Sequence, residues 1–192
     1  MMEQSDAAAV AKAREGDHDA FGVLVERHSH ALFQLAYRMT GNEQDAEDLV
    51  QEIFLRAYRQ LGKFESRANF STWLHRIAAN CAIDLLRKRK SQGEQDGVVD
   101  PVPPDHLSSL PANSPPPDQA MFHSEIQIQV ESALHGLTPL ERAAFVLRHF
   151  EHKSVEEISS ALDLGQSAAK QAIFRAVHKV RRSLETVLDS AK

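Results

Sequence analysis

Cysteine is nearly missing from this chain. The single Cys81 excludes an internal disulfide and a cysteine-rich zinc site, and its apolar neighbours make it read as core. Although 42% of the 192 residues are hydrophobic, no apolar run approaches the roughly 20 residues that a membrane span needs, so no membrane insertion is expected. The opening stretch, MMEQSDAAAVAKAREGD, lacks a basic region followed by an apolar one; nothing in it reads as an export signal, and the expected compartment is the cytoplasm. Lysine and arginine are absent from Ser91 to His123, where Glu94, Asp96, Asp100, Asp105 and Asp118 stand instead. With 27 acids and 22 bases in the chain, setting those five acids aside leaves 22 of each sign, so the net charge of −5 lies in this one segment. Seven of the eight prolines lie there too, with few residues able to build a core. The segment reads as a flexible, acidic, Pro-rich linker over residues 91–124. It joins two small domains, 17–90 and 125–188, behind a flexible N-terminal tail of residues 1–16.

What is present in both domains is apolar spacing at helix period, with no alternating run between hairpin turns, so the fold class is all-α. In EQDAEDLVQEIFLRAYRQL, the residues Ala46, Leu49, Val50, Ile53, Phe54, Ala57 and Leu61 form a core-facing stripe, with Asn42 as N-cap. The same helix carries Glu43, Asp45, Glu47, Asp48 and Glu52 and no base before Arg56. The helix dipole accounts for acids near an N-terminus, and about half of these fall to that explanation.

A second helix, in NFSTWLHRIAANCAIDLLRKRK, turns Leu74, Ile77, Ala78, Cys81 and Leu85 to one side and Arg76, Asn80, Asp84 and Arg87 to the other, and closes on Arg87, Lys88, Arg89 and Lys90. Its entrance sets Phe64, Phe70 and Trp73 beside Lys63, Arg67, Asn69, Ser71 and Thr72. Cations track phosphate, aromatic faces stack on unpaired bases, and small polar groups read an extruded base edge. The mixture suits single-stranded or melting nucleic acid. Core packing is the competing reading for Phe70 and Trp73, and a solvated surface of mixed charge competes for each helix taken alone.

The second domain opens a helix with Thr138 as N-cap, Pro139 at the first position and Glu141 completing a capping box; Ser154 with Glu157 makes another. After SVEEISSALD comes a tight turn at Gly165, then a long helix from about Ser167 with Ala169, Ile173, Ala176, Val180 and Leu184 inward. Helix, short turn, helix is a DNA-reading unit. Lys170, Gln171, Phe174, Arg175, His178 and Lys179, and further along Arg181 and Arg182, line its outward side.

These motifs, over nearly the whole chain, resemble the extracytoplasmic-function group of the bacterial sigma-70 family of RNA polymerase sigma factors. DAEDLVQEIFLRAYRQLGKF looks like region 2.2 of that family, with Asp48, Gln51 and Glu52 on its D-x-x-Q-E positions. The resemblance implies docking through Asp45, Asp48, Gln51, Glu52 and Arg56 on the beta-prime clamp helices of core RNA polymerase. FSTWLHRIAANCAIDLLRKRK is similar to regions 2.3 and 2.4, which implies melting and reading of the minus-ten element by Lys63, Phe64, Arg67, Asn69, Phe70, Ser71, Thr72, Trp73, Arg76, Asn80, Arg87, Lys88, Arg89 and Lys90. LTPLERAAFVLRHFEHKSVEEISSALDLG resembles regions 4.1 and 4.2, implying contact with the beta flap and minus-thirty-five reading by Ser167, Ala168, Lys170, Gln171, Phe174, Arg175, His178 and Lys179. Ala172 and Val177 depart from the family, which often has arginine at both places. By resemblance the acidic linker runs through the polymerase cleft, and an anti-sigma factor is a further partner to expect.

No enzymatic step, cofactor or metal is expected. A stand-alone helix-turn-helix regulator is the nearest alternative. A metal enzyme is suggested only by ten histidines: His28 and His30 point to nearly opposite faces, and His149 with His152 lack a cysteine or acid-rich partner set. Neither a Ser/His/Asp array nor a phosphate-binding glycine loop is legible.

Overall fold

The computed structural model describes residues 5–64, 69–92, 129–130 and 132–190. Among them the regular elements are helical: α1 (Asp6–Arg14), α2 (His18–Thr40), α3 (Glu43–Gln60), a 3₁₀ turn (Leu61–Lys63), α4 (Phe70–Gln92), α5 (Pro139–His149), α6 (Val155–Ala161) and α7 (Gln166–Ser190). The expected acidic linker lies outside the described residues, apart from Ser91 and Gln92, which continue α4.

The caps read from sequence are in place. Asn42 accepts the Asp45 amide at 2.9 Å, and Thr138–Glu141 and Ser154–Glu157 are both complete capping boxes. The α3 stripe is buried along Ala46, Leu49, Ile53, Phe54 and Ala57, with Leu61 beyond the helix. On α4, Leu74, Ile77, Ala78 and Cys81 are buried and Leu85 is half-buried. Burial also pushes the Cys81 thiol up to about 11, so it stays protonated and serves as a small apolar side chain.

Two expectations are corrected. The tail of residues 1–16 is a helix over most of its length: Ala9, Val10 and Ala13 of α1 are buried, and Asp6 meets His28 Nε2 at 2.9 Å and Arg27 Nη1 at 3.2 Å. Its alanine-rich sequence shows no amphipathic stripe because small residues suffice where it lies close against α2. The turn of the helix-turn-helix pivots on Asp163, with φ 53, and not on Gly165, which needs no left-handed backbone. Aspartate tolerates that region better than most L residues.

The halves share a core. One hydrophobic cluster runs from α1 through α2, α3 and α4 into α5, α6 and the start of α7; a second gathers Leu134, Leu137, Phe145, Ala176 and Val180 under the last helix. Gly41 ends α2 at φ 70, and a Cβ there would run into the His135 ring from the second half.

Candidate nucleic-acid interfaces

The outer side of α7 is the plainest candidate. Ser167, Ala168, Lys170, Gln171, Phe174, Arg175, His178 and Lys179 are all exposed, while Ala169, Ala172, Ala176 and Val180 face inward. Phe174 is 72% exposed, an unusual setting for a phenyl ring, and lies 6.5 Å from the His178 ring. Isolated exposed apolar residues are ordinary, but this one stands between Lys170, Gln171 and Arg175 on a helix of DNA-reading geometry. Ala172, at a place where the family often has arginine, is buried and lets α7 lie close to its neighbours.

Lys179 is committed elsewhere. Its ammonium reaches Glu141 Oε2 at 2.7 Å, and the same carboxylate accepts the Thr138 amide at 3.0 Å. Burial by itself raises the Glu141 carboxyl, but the bonds from Lys179 and Thr138 outweigh it and hold the group below the ordinary glutamate value. The stability it contributes is therefore present above the ordinary value and is lost as pH falls through the lowered one. Glu141→Gln is expected to cost about 1 kcal/mol at pH 7 and to flatten the acid side of the stability profile. Chemical denaturation from pH 7 to pH 3 measures this, and an unchanged acid limb in the variant removes Glu141 as the titrating group.

In the first half, α3 and α4 lie side by side, the acids of one beside the bases of the other. A groove of ≈ 290 Å³ between them is lined by Asp45, Asp48, Glu52, Arg56, Asp84 and Lys88, with Cys81 beneath. Arg56 Nε donates to Glu52 at 2.6 Å, its Nη1 lies 3.8 Å from Asp84, and the bond to Glu52 leads the effects that raise its pKa. Arg89 pairs with Asp45. Asp48 and Gln51 stay exposed on the rim. Arg87, Lys88 and Lys90 are exposed at the end of α4.

At the entrance to α4 the aromatics form a cluster. Phe64 and Phe70 are 5% and 4% exposed and meet edge to face at 5.8 Å; Trp73 leans on both, its ring centroid 5.0 Å from Phe64 and 5.6 Å from Phe70. The two phenylalanines thus fill core space here, and the half-buried Trp73 is the ring at the edge. Asn69 is exposed and its Oδ1 accepts the Ser71 amide at 3.0 Å, capping the helix. Ser71 and Thr72 are half-buried, Lys63 and Arg76 exposed, and Asn80 half-buried. Arg67 lies outside the described residues. His75, which sequence reasoning took no notice of, is buried beside Ser71 and bonds Glu151 of the second half at 3.0 Å. A histidine inside an apolar helix face was its only signal.

These faces on an all-helical frame define a two-domain DNA-binding protein of the helix-turn-helix class. Comparison with known proteins narrows the class. Residues 24–92 match the family model Sigma-70 region 2, and residues 127–180 match Sigma-70, region 4. The chain is 32% identical to the ECF RNA polymerase sigma factor SigW of Bacillus subtilis (strain 168), over 95% of this chain and 98% of that one. It is 30% identical to the RNA polymerase sigma-H factor of Pseudomonas aeruginosa over the full length of both. Among solved structures, CnrH in complex with the cytosolic domain of CnrY is similar at a TM-score of 0.66 and 29% identity, covering 94% of this chain and 97% of that one. The chain belongs to the extracytoplasmic-function group of the sigma-70 family. It is an RNA polymerase sigma factor, acting in transcription initiation on promoter DNA. Among the described residues no helix is long and apolar enough to cross a membrane.

Proposed function

We propose a division of labour in which the domain of residues 17–90 docks on core polymerase and opens the minus-ten element, and the domain of residues 125–188 reads the minus-thirty-five element as duplex. The observation that carries it is the exposed row on α7, one DNA-reading face whose opposite side buries Ala169, Ala172, Ala176 and Val180. Docking falls to the α3 rim, Asp48, Gln51 and Glu52, with Asp45 and Arg56 holding it against α4. Capture of unpaired bases falls to Asn69, Ser71, Thr72 and Trp73, backed by Lys63, Arg67, Arg76 and Asn80. Phe64 and Phe70 support Trp73 from beneath. Arg87, Lys88 and Lys90 hold backbone phosphate, with Arg89 tying them to α3. The chain itself makes and breaks no covalent bond; it supplies binding free energy in the cytoplasm, and an anti-sigma factor is its natural regulator.

The test is run-off transcription with core polymerase on a library of randomised promoters. A two-block consensus at a fixed spacing supports the reading, and transcription indifferent to promoter sequence overturns it. On a selected promoter, Asn69→Ser with Ser71→Ala keeps a helix cap and is expected to lower the open fraction about tenfold while closed complexes form normally. Permanganate reactivity of unpaired thymines reports the open state, and a defect confined to the closed stage contradicts base capture.

A further inference from the structure

The division of labour above gives α1 no part, yet α1 packs on α2, on the turn Leu61–Lys63 and on α4. Asp6, in its first turn, directs each carboxylate oxygen at α2: Oδ1 lies 3.2 Å from Arg27 Nη1 and Oδ2 2.9 Å from His28 Nε2. A carboxylate only accepts, so the proton sits on Nε2 and the imidazole is kept from turning about its own bond. The centroid of the same ring is 5.4 Å from that of Phe70, with the planes tilted by 59°. Beyond Phe70 stand Phe64 and Trp73, so four rings lead in contact from the first turn of α1 to the half-buried ring at the edge of the α4 entrance. The far end of α2 is held too, because Arg142 of α5, 1% exposed, crosses to its last turn and donates from Nη1 to the Met39 carbonyl at 2.6 Å. Ala9, Val10 and Ala13 already seat α1 on its neighbours, and an ion pair as open to water as that of Asp6 with Arg27 adds little stability. What the Asp6 carboxylate adds is a fixed His28 ring.

Building on the base-capture reading above, we infer that Asp6 and His28 are positioning residues for Trp73: the carboxylate fixes the imidazole, the imidazole fixes Phe70, and Phe70 sets the angle at which Trp73 meets an unpaired base. Stacking needs two flat faces brought parallel, so a floor that rocks weakens it even when every contact residue is present. A floor fixed before the strand arrives also spares the complex the ordering of that ring on binding. On this account α1 serves promoter opening without touching DNA, and it acts on the unpaired strand alone, since the duplex-reading face lies on α7.

Trp73 is the one tryptophan of the chain, so its emission reports this ring by itself. The test measures the time-resolved anisotropy of Trp73 in the full chain, and then the affinity of holoenzyme for a labelled oligonucleotide carrying the non-template minus-ten strand of a selected promoter. Asp6→Ala and His28→Gln are each expected to enlarge the fast component of the anisotropy decay and to weaken strand binding roughly fivefold, the size of one aromatic contact. Affinity for upstream duplex should stay at the parent's value. Combining the two substitutions should add nothing, because both cut the same chain of contacts. Asp6→Asn, which keeps an acceptor for Nε2, is expected to recover most of the loss. Arg27→Ala breaks the other bond of Asp6 and leaves His28 in place, so it should match the parent in both measurements. Circular dichroism confirms that each variant is folded. Parent-like anisotropy and strand affinity in Asp6→Ala overturn the inference, as does an Arg27→Ala defect equal to that of Asp6→Ala, which would make Asp6 a mere anchor for α1. A Trp73→Leu holoenzyme that holds the strand as tightly as the parent strikes the base-capture reading instead, and the anisotropy of the free variants still decides whether Asp6 and His28 fix the ring.

Discussion

Asp48→Lys combined with Glu52→Gln is expected to weaken association with core RNA polymerase by about 30- to 1000-fold, the range for losing charged contacts at a buried interface. Asp48 is exposed on the α3 rim, where it accepts the Gln44 amide at 3.4 Å, so its charge contributes little to the fold. Glu52 holds Arg56 at 2.6 Å, and that pair helps fix the wall of the groove beside Asp84. Glutamine keeps a hydrogen-bond acceptor for Arg56, which is why Glu52→Gln is preferred there to charge reversal. Helical content and melting temperature should move by no more than an exposed helix pair contributes, about 0.5 kcal/mol. Fluorescence anisotropy of labelled chain titrated with core polymerase measures the change. Equal affinity for the folded double variant and the parent would take the docking role away from α3.

The second large effect belongs to α7. Lys170→Ala with Arg175→Ala should lower affinity for double-stranded upstream promoter DNA by roughly 10- to 100-fold near 0.1 M salt. It should also reduce the slope of log affinity against log salt by about two, close to one unit per lost phosphate contact. Lysine and arginine here are exposed, and between them stands Phe174, so their removal costs the fold little and the interface much. A pre-melted template, on which duplex reading matters less, should be used nearly as well by the variant as by the parent. Equal loss on both templates means that the second domain is not a separate duplex reader. Phe174→Ala is the informative companion, because it leaves the salt slope alone and any loss it causes reports apolar contact with base edges.

Much of this arrangement is legible in the residues because local rules and the final fold agree. The stripe on α3, the buried side of α4 and the two capping boxes each follow from spacing within a dozen residues, and the long-range packing confirms them. Alanine-rich α1 gives no such stripe, and what orders it is Asp6 meeting Arg27 and His28 twenty-one and twenty-two positions away. The pivot at Asp163 is hidden because a glycine two residues on offers the more familiar turn chemistry. At the α4 entrance, sequence places three rings together but does not say which face water; that depends on how α4 lies across the rest of the domain. His75, Arg142 and Glu151 illustrate the hardest case. Each is a single polar residue in an otherwise ordinary helical pattern, and its meaning appears only when an element some seventy or more positions distant arrives beside it.

The crossing of Arg142 onto the end of α2 has a kinetic corollary. Both partners of that bond sit on one polypeptide, so its opening is a first-order event with an equilibrium constant that has no units of concentration. Making more of the protein in the cell leaves the open fraction unchanged, whereas a protein silenced by pairing with its own copies would fall quieter as its level rose. Core polymerase, by contrast, would bind in a bimolecular step at the α3 rim, where Asp48 and Gln51 are exposed while the Arg142 contact is made. A dependence on the level of the protein would therefore report the bimolecular docking step, and the Arg142 contact would be blind to it.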